Sequence, residues 1–237
     1  MSILAKYKLE QKQRGIFGAI TGLRLAGKST LAGTLPGKTA MLTARLFETG
    51  SGSAIALAKQ LGNYIDVYVF DTISTLMLQI TEAAKTYDNI YVDSATGVTE
   101  LMYRTPEMQM AIKKNSWDGF RVLAEKVEEL MLKTKELTED GKTNIFYTVS
   151  LVPTKEGGLE PEAKGSSVTK NIRAIFPIVV ALMPQKDEEG NALPPRLITS
   201  SMAGYSARLD DILIQHNPGS LDANLTTLIK FLKGDKV

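Results

Sequence analysis

The run Gly22-Leu23-Arg24-Leu25-Ala26-Gly27-Lys28-Ser29-Thr30 has the residue types and spacing that phosphate chemistry needs. Its glycines, with four residues between them, let a backbone wrap phosphate oxygens with its N–H groups turned inward. Lys28 supplies a point charge for the outer phosphates. Ser29 offers a hydroxyl oxygen, the donor Mg²⁺ prefers. The plain alternative is a glycine turn between ordinary elements. A metal bound there also needs an acidic residue at a strand end. Asn89-Ile90-Tyr91-Val92 is a strand-like run that ends in Asp93, with Ser94 behind it. Asp93 reads either as a metal partner or as the N-cap of a following helix, and the run ending at Asp71 has the same shape. Phosphoryl transfer to water further needs a group that positions the water. Glu48, after a strand and before a glycine turn, is the candidate; its alternative is a solvated loop carboxylate. Ser150 reads either as a sensor of the terminal phosphate or as a plain strand-end hydroxyl.

These residues need elements to carry them. Ile16–Thr21 is an apolar run of strand length, and "KSTLAGTL" is a helix start stopped by Pro36-Gly37, so the glycine loop lies between strand and helix. Further strands are expected over 38–47, 65–70, 89–93 and 143–150. Helices are expected after Ser53 as far as Gly62 and over 71–87, 116–137 and 222–233. Trp117, Phe120, Ala124, Val127, Met131 and Thr134 recur at helical spacing and are expected to face the core. Residues 97–116 and 151–171 read as long loops, and "PQKDEEGNALPP" as the turn of a β-hairpin. Alternating strands and helices predict an α/β fold with a mostly parallel central sheet, helices on both faces, and a C-terminal hairpin plus helix. In such sheets ligands lie beyond the carboxyl ends of the strands, which gathers Gly22–Ser29, Glu48 and Asp93 at one crevice. No linker divides the chain, so one domain is expected over residues 15–237, preceded by a basic segment, residues 1–14.

The totals narrow the function classes. The chain has 237 residues, 43% apolar and 23% charged, which makes it globular and large enough for a buried core. A net charge of +2 does not by itself imply nucleic acid. There is no cysteine, so no disulfide framework or thiolate zinc site exists, and an intracellular setting fits. The single histidine, His216, stands in a turn-like context with no partner ligand in sequence. The start lacks the apolar core of a signal peptide, and no run is long enough to span a membrane. The reading is a soluble, cytoplasmic protein with no membrane partner.

The loop Gly22–Ser29, Glu48 after a strand and the Asp93-Ser94 pair together resemble the RecA-like P-loop ATPases. From about Arg14 to the C-terminus the chain is similar to the short phage-type members that consist of little more than the RecA core, the Sak-type single-strand annealing or recombination ATPases. The pieces that carry this are "LFETGSGSA", "NIYVDSATGVTEL", "NSWDGFRVLAEKVEELM", "TNIFYTVS", "KGSSVTKNIRAIFPIVVAL" and "GYSARL". The resemblance implies a RecA-like fold that binds ATP and Mg²⁺ over Gly22–Thr30, with Lys28 on phosphate, Ser29 and Asp93 on the metal and Glu48 activating water. It implies a phage-encoded protein of the host cytoplasm that assembles head to tail as filament or ring, with a trans-acting cation; Arg208 is the first choice, then Lys170 and Arg173. It also implies single-stranded DNA and a single-strand DNA-binding protein as partners. DNA would be held by the loops after the fourth and fifth strands, through Arg104, Lys113 and Lys114 and through Lys155, Lys164 and Lys170, with Tyr103 as a stacking ring or a partly buried one. Three departures bear on hydrolysis: Ser150 stands where the family has His or Gln, the loop interior Leu23–Ala26 has no glycine, and Pro177 stands where an acidic residue is expected. The other classes are a nucleotide-binding assembly protein with slow or no hydrolysis, and a small-molecule kinase, against which stands the lack of an arginine-rich lid.

Overall fold

Five helix starts in this chain are set by short polar side chains that satisfy the otherwise unpaired first N–H groups. Thr72 opens one helix by accepting from Thr75 N, Ser94 the next from Gly97 N, and Thr105 a third from Met108 N with Pro106 at the first helical position. Asn115 and Asn224 open two more. The computed structural model describes residues 14–45, 50–163, 168, 175–202, 205–209 and 217–235. In chain order these form β1 (Phe17–Leu23), α1 (Lys28–Leu31) with a 3₁₀ turn Ala32–Thr34, β2 (Lys38–Ala44), α2 (Ser51–Leu61), β3 (Tyr64–Phe70), α3 (Ile73–Ala83) and β4 (Asn89–Asp93). There follow α4 (Ala95–Tyr103), α5 (Pro106–Lys114), α6 (Ser116–Glu136), β5 (Asn144–Pro153), β6 (Leu159–Pro161), β7 (Ile178–Lys186), β8 (Ala192–Ile198), β9 (Ser220–Asp222) and α7 (Leu225–Leu232).

The strands make one mixed sheet in the order β3-β2-β4-β5-β1-β7-β8-β9, with β6 paired to β5 off this path. The strands from β3 across to β7 run parallel; β6, β8 and β9 pair antiparallel. The fold is therefore α/β around a mostly parallel sheet. Because side chains alternate along a strand, each strand feeds two cores. Ala40, Leu42, Ile90, Val92, Ile145 and Tyr147 pack with α3, α4 and α6 on one face. Ile20, Met41, Tyr91 and Phe146 pack with α1, α2 and α7 on the other. Among the described residues no helix is long and apolar enough to cross a membrane.

The structure differs from the sequence expectations in four places. Residues 97–116 are the helices α4 and α5, because Ser94 and Thr105 each cap a helix there. The first part of 151–171 is a β-hairpin, with β5 running on to Pro153 and β6 returning along it in the register Leu151↔Pro161. The short β9 was not expected at all. Trp117, placed in the core stripe of the long helix, is 75% exposed; Ala124, Val127, Met131 and Thr134 are buried as expected, joined by Leu123 and Leu130. Trp117 lies in the first turn, beyond the end of the apolar face.

At the amino ends of β4 and β5 two buried asparagines tie the sheet together. Asn144 Nδ2 donates to Asn89 Oδ1 at 2.9 Å, Asn144 Oδ1 accepts from Ile16 N at 3.0 Å, and Asn89 Nδ2 donates to Pro36 O at 2.6 Å. Asn144→Ala strands a buried amide and a buried carbonyl oxygen, each costing about 1–3 kcal/mol. Chemical denaturation is expected to show a loss of about 2–4 kcal/mol. A loss below about 0.5 kcal/mol would show that the network contributes nothing.

Candidate functional site

The glycine-rich loop leaves the carboxyl end of β1 and turns back into α1. Its two left-handed residues are Leu25, at φ 62°, and Gly27, at φ 92°. A leucine in that region is strained. Its side chain points wholly into solvent, so Leu25 does not fill the inside of the loop. Lys28 is buried: its Nζ donates to Gly22 O at 2.9 Å and Leu23 O at 2.7 Å. Burial lowers its pKa to about 8, against the opposing pull of Asp93 and Glu162.

Ser29 Oγ donates to Asp93 Oδ2 at 2.5 Å, and Thr148 Oγ1 donates to Asp93 Oδ1 at 2.5 Å. The sheet explains this meeting. Asp93 follows Tyr91 by two residues and Thr148 follows Phe146 by two, so both fall on the face that carries α1. β5 lies between β4 and β1, so the loop crosses its end to bring Ser29 to β4. The cap of α4 is Ser94, not Asp93, which leaves both Asp93 oxygens to these hydroxyls. Asp71 follows the edge strand β3, three strands further from β1 than β5 is. Tyr91, fully buried, donates to Lys28 O at 2.6 Å and so anchors the start of α1.

Residues that sequence reasoning missed complete the surroundings. Thr148 is a fully buried hydroxyl between Tyr147 and Val149 in the apolar middle of β5, and that interruption was its only signal. Glu162, just after β6, receives a two-pronged contact from Arg24 of the loop. Beside α1 is a cavity of about 780 Å³, lined by Gly27, Thr30 and Leu31, by Leu57, and by Pro194 and Pro195 of β8. Arg196 and Asp222, paired at 3.0 Å, stand on its wall. Its size and mostly apolar lining fall in the range of small-molecule sites.

Ser150 is half-buried and pairs in register with Gly22, and its carbonyl accepts from Glu162 N at 2.7 Å. Arg208 is exposed, and its backbone forms two hydrogen bonds with Val179 of β7. Arg104 caps the end of α4 and pairs with Glu100 at 2.8 Å. Lys113 and Lys114 are exposed in the last turn of α5, and Lys155 is exposed in the β5–β6 turn. The Tyr103 ring stacks on Phe120, with centroids 6.1 Å apart and planes 12° apart, so of its two readings the partly buried one holds. Glu48, Lys164, Lys170, Arg173 and His216 lie outside the described residues. No cluster of three or more metal-ligating side chains occurs among the described residues. No protein-family model matches the chain, and no curated protein matches it.

Gly50, at φ 106°, opens α2 directly against the loop: a Cβ there would lie 2.8 Å from Ser29 Cβ. Gly50→Ala is expected to cost about 1–3 kcal/mol in denaturant unfolding. Gly52→Ala, two residues on in the same helix, meets nothing within 4 Å and is expected to be neutral or slightly stabilising. Equal effects at both sites would show that the close approach to Ser29 is not what requires glycine.

Proposed function

We propose that the chain is a RecA-like P-loop ATPase that binds ATP with Mg²⁺ and acts on single-stranded DNA in phage-type recombination. The observation that carries this reading is the hydrogen bond between Ser29 and Asp93, residues 64 positions apart in sequence. Hydroxyl and carboxylate oxygens are hard donors, the kind that hold Mg²⁺ beside phosphates. A buried lysine stands next to them on the same loop. The metal supplies charge neutralisation between phosphate oxygens.

In this reading Lys28 turns from the carbonyls of Gly22 and Leu23 to the phosphates. Asp93 orients the metal partner Ser29, and Thr148 holds Asp93 in place. The apolar cavity beside Thr30 and Pro194-Pro195 takes the nucleoside, since it begins at the loop itself. Glu48 is assigned to water on the sequence argument alone. Arg208 is the first candidate to reach a neighbouring subunit's nucleotide in a head-to-tail assembly, being exposed and backed by a fixed strand pairing. Ser150, in place of the family's His or Gln, keeps the slow-hydrolysis assembly protein as the second reading.

For DNA, the corner between α5 and α6 is the best-supported surface. Lys113, Lys114 and the exposed Trp117 lie within five residues of one another there. Cations beside an exposed aromatic ring suit single strands, where base–ring stacking contributes about 1–3 kcal/mol per base.

Lys28→Ala is expected to abolish tight binding of Mg·ATP in a calorimetric titration while leaving the melting temperature within a few degrees of wild type. Unchanged affinity would refute the phosphate-loop assignment. Trp117→Ala is expected to weaken single-stranded DNA binding about tenfold in fluorescence anisotropy and to lower any DNA-stimulated ATP turnover. Wild-type DNA affinity in that variant would remove the α5–α6 corner from the interface. A wild-type ATPase indifferent to single-stranded DNA would overturn the recombination reading and leave the assembly protein or kinase.

A further inference from the structure

The mouth of the phosphate loop carries a carboxylate that the chemistry above does not use. Arg24 belongs to the loop, and its Nε donates to Glu162 Oε2 at 3.0 Å while its Nη2 donates to Glu162 Oε1. The Arg24 side chain is 70% exposed and that of Glu162 only 25%. Glu162 sits on a fixed mount. It follows β6, its N–H donates to Ser150 O, and Ser150 pairs with Gly22 at the start of the loop. The carboxylate also acts on Lys28, opposing the effect of burial there. One acidic residue thus pairs with one cation of the loop and acts electrostatically on the other. A guanidinium fork fits two carboxylate oxygens and two phosphate oxygens by the same geometry. Glu162 and a phosphate group are therefore rivals for one partner.

We propose that Glu162 is a positioning residue that competes with nucleotide phosphates for Arg24, so that loading of the loop is coupled to the β5–β6 hairpin. The proposal rests on the nucleotide reading above. Phosphate that takes Arg24 leaves Glu162 without its ionic partner and loosens the hairpin at a polar side-chain tie to the loop. By reciprocity, whatever draws the hairpin away from Arg24 strengthens phosphate binding by the same factor.

The test is calorimetric titration of the full chain with Mg·ATP and, separately, with inorganic tripolyphosphate, which carries phosphate without a nucleoside. Glu162→Gln is expected to tighten tripolyphosphate binding about 3- to 10-fold, and Glu162→Ala to do the same. Arg24→Ala is expected to weaken it, and in that background the gain from Glu162→Gln should largely vanish. Hydrogen exchange over residues 154–158 should speed up in wild type when tripolyphosphate is added, and should already be fast in Glu162→Gln. A merely structural Glu162 predicts weaker or unchanged binding in both Glu162 variants, and that result overturns the proposal. A gain of equal size with and without Arg24 overturns it too, as it would reflect a general charge effect. Wild type that binds Mg·ATP while neither Glu162 variant differs sinks this inference alone. If neither wild type nor the Glu162 variants bind either ligand, the nucleotide reading fails and the inference with it.

Discussion

A half-buried carboxylate needs donors, and the way Asp93 finds them organises the carboxyl edge of the sheet. One oxygen accepts from Ser29 of the loop, the other from Thr148 of the intervening strand. Removing a polar group from water without such partners costs several kcal/mol. The pair of bonds can form only if β5 separates β4 from β1 and if the loop turns back over the end of β5. Strand order, loop path and the seating of α1 are thus all required by a single side chain. Tyr91, two residues before it on the same face, adds a second tie by holding the first carbonyl of α1.

The elements behind the loop extend this anchoring. Thr30 and Ser53 share a hydrogen bond of 2.7 Å, which joins α1 to α2. Thr34, at the end of the 3₁₀ turn, accepts from Leu225 N through its hydroxyl and from the Thr226 hydroxyl through its carbonyl oxygen, which joins α1 to the last helix. A four-residue helix has little stability of its own. It is held by neighbours on three sides, and each tie is a hydroxyl, from serine, threonine or tyrosine, meeting backbone, a carboxylate or another hydroxyl. The loop is therefore rigid at its helical end and open to solvent at Leu25.

Much of this was legible in the sequence. The place of Gly22–Ser29 between a strand and a helix could be read because an apolar run precedes it and a helix start follows. That Asp93 ends a strand could be read from the apolar run before it, and its contact with Ser29 followed once the strand order was known. The alternation of Val92 and Asp93, or of Tyr147 and Thr148, carries face information that a sequence offers only after register is known. Thr148 and Glu162 stayed hidden for a different reason. Each acts on a partner far away in the chain, and a lone threonine or glutamate has no spacing to betray it. Trp117 was misassigned because a helical stripe extrapolated to the first turn ignores that a helix can overhang its core. The loops after β4 and β5 were misread because a cap and a turn depend on single residues there, Thr105 as the cap and Gly157, at φ 80°, in the turn.

β4 and β5 are pinned at both ends by polar side chains, Asn89 with Asn144 at one edge and Asp93 with Thr148 at the other. A slip of one residue between them would break both pairs and send Asp93 to the opposite face. The apolar residues between, Ile90, Val92, Ile145 and Tyr147 among them, are thereby relieved of specifying alignment. They need only fill volume, so sequences of this architecture are free to drift across the middle of the sheet by volume-conserving exchange. The hydrophilic positions at the two rims are the ones that cannot drift, which inverts the usual expectation that a fold's identity is written in its hydrophobic interior.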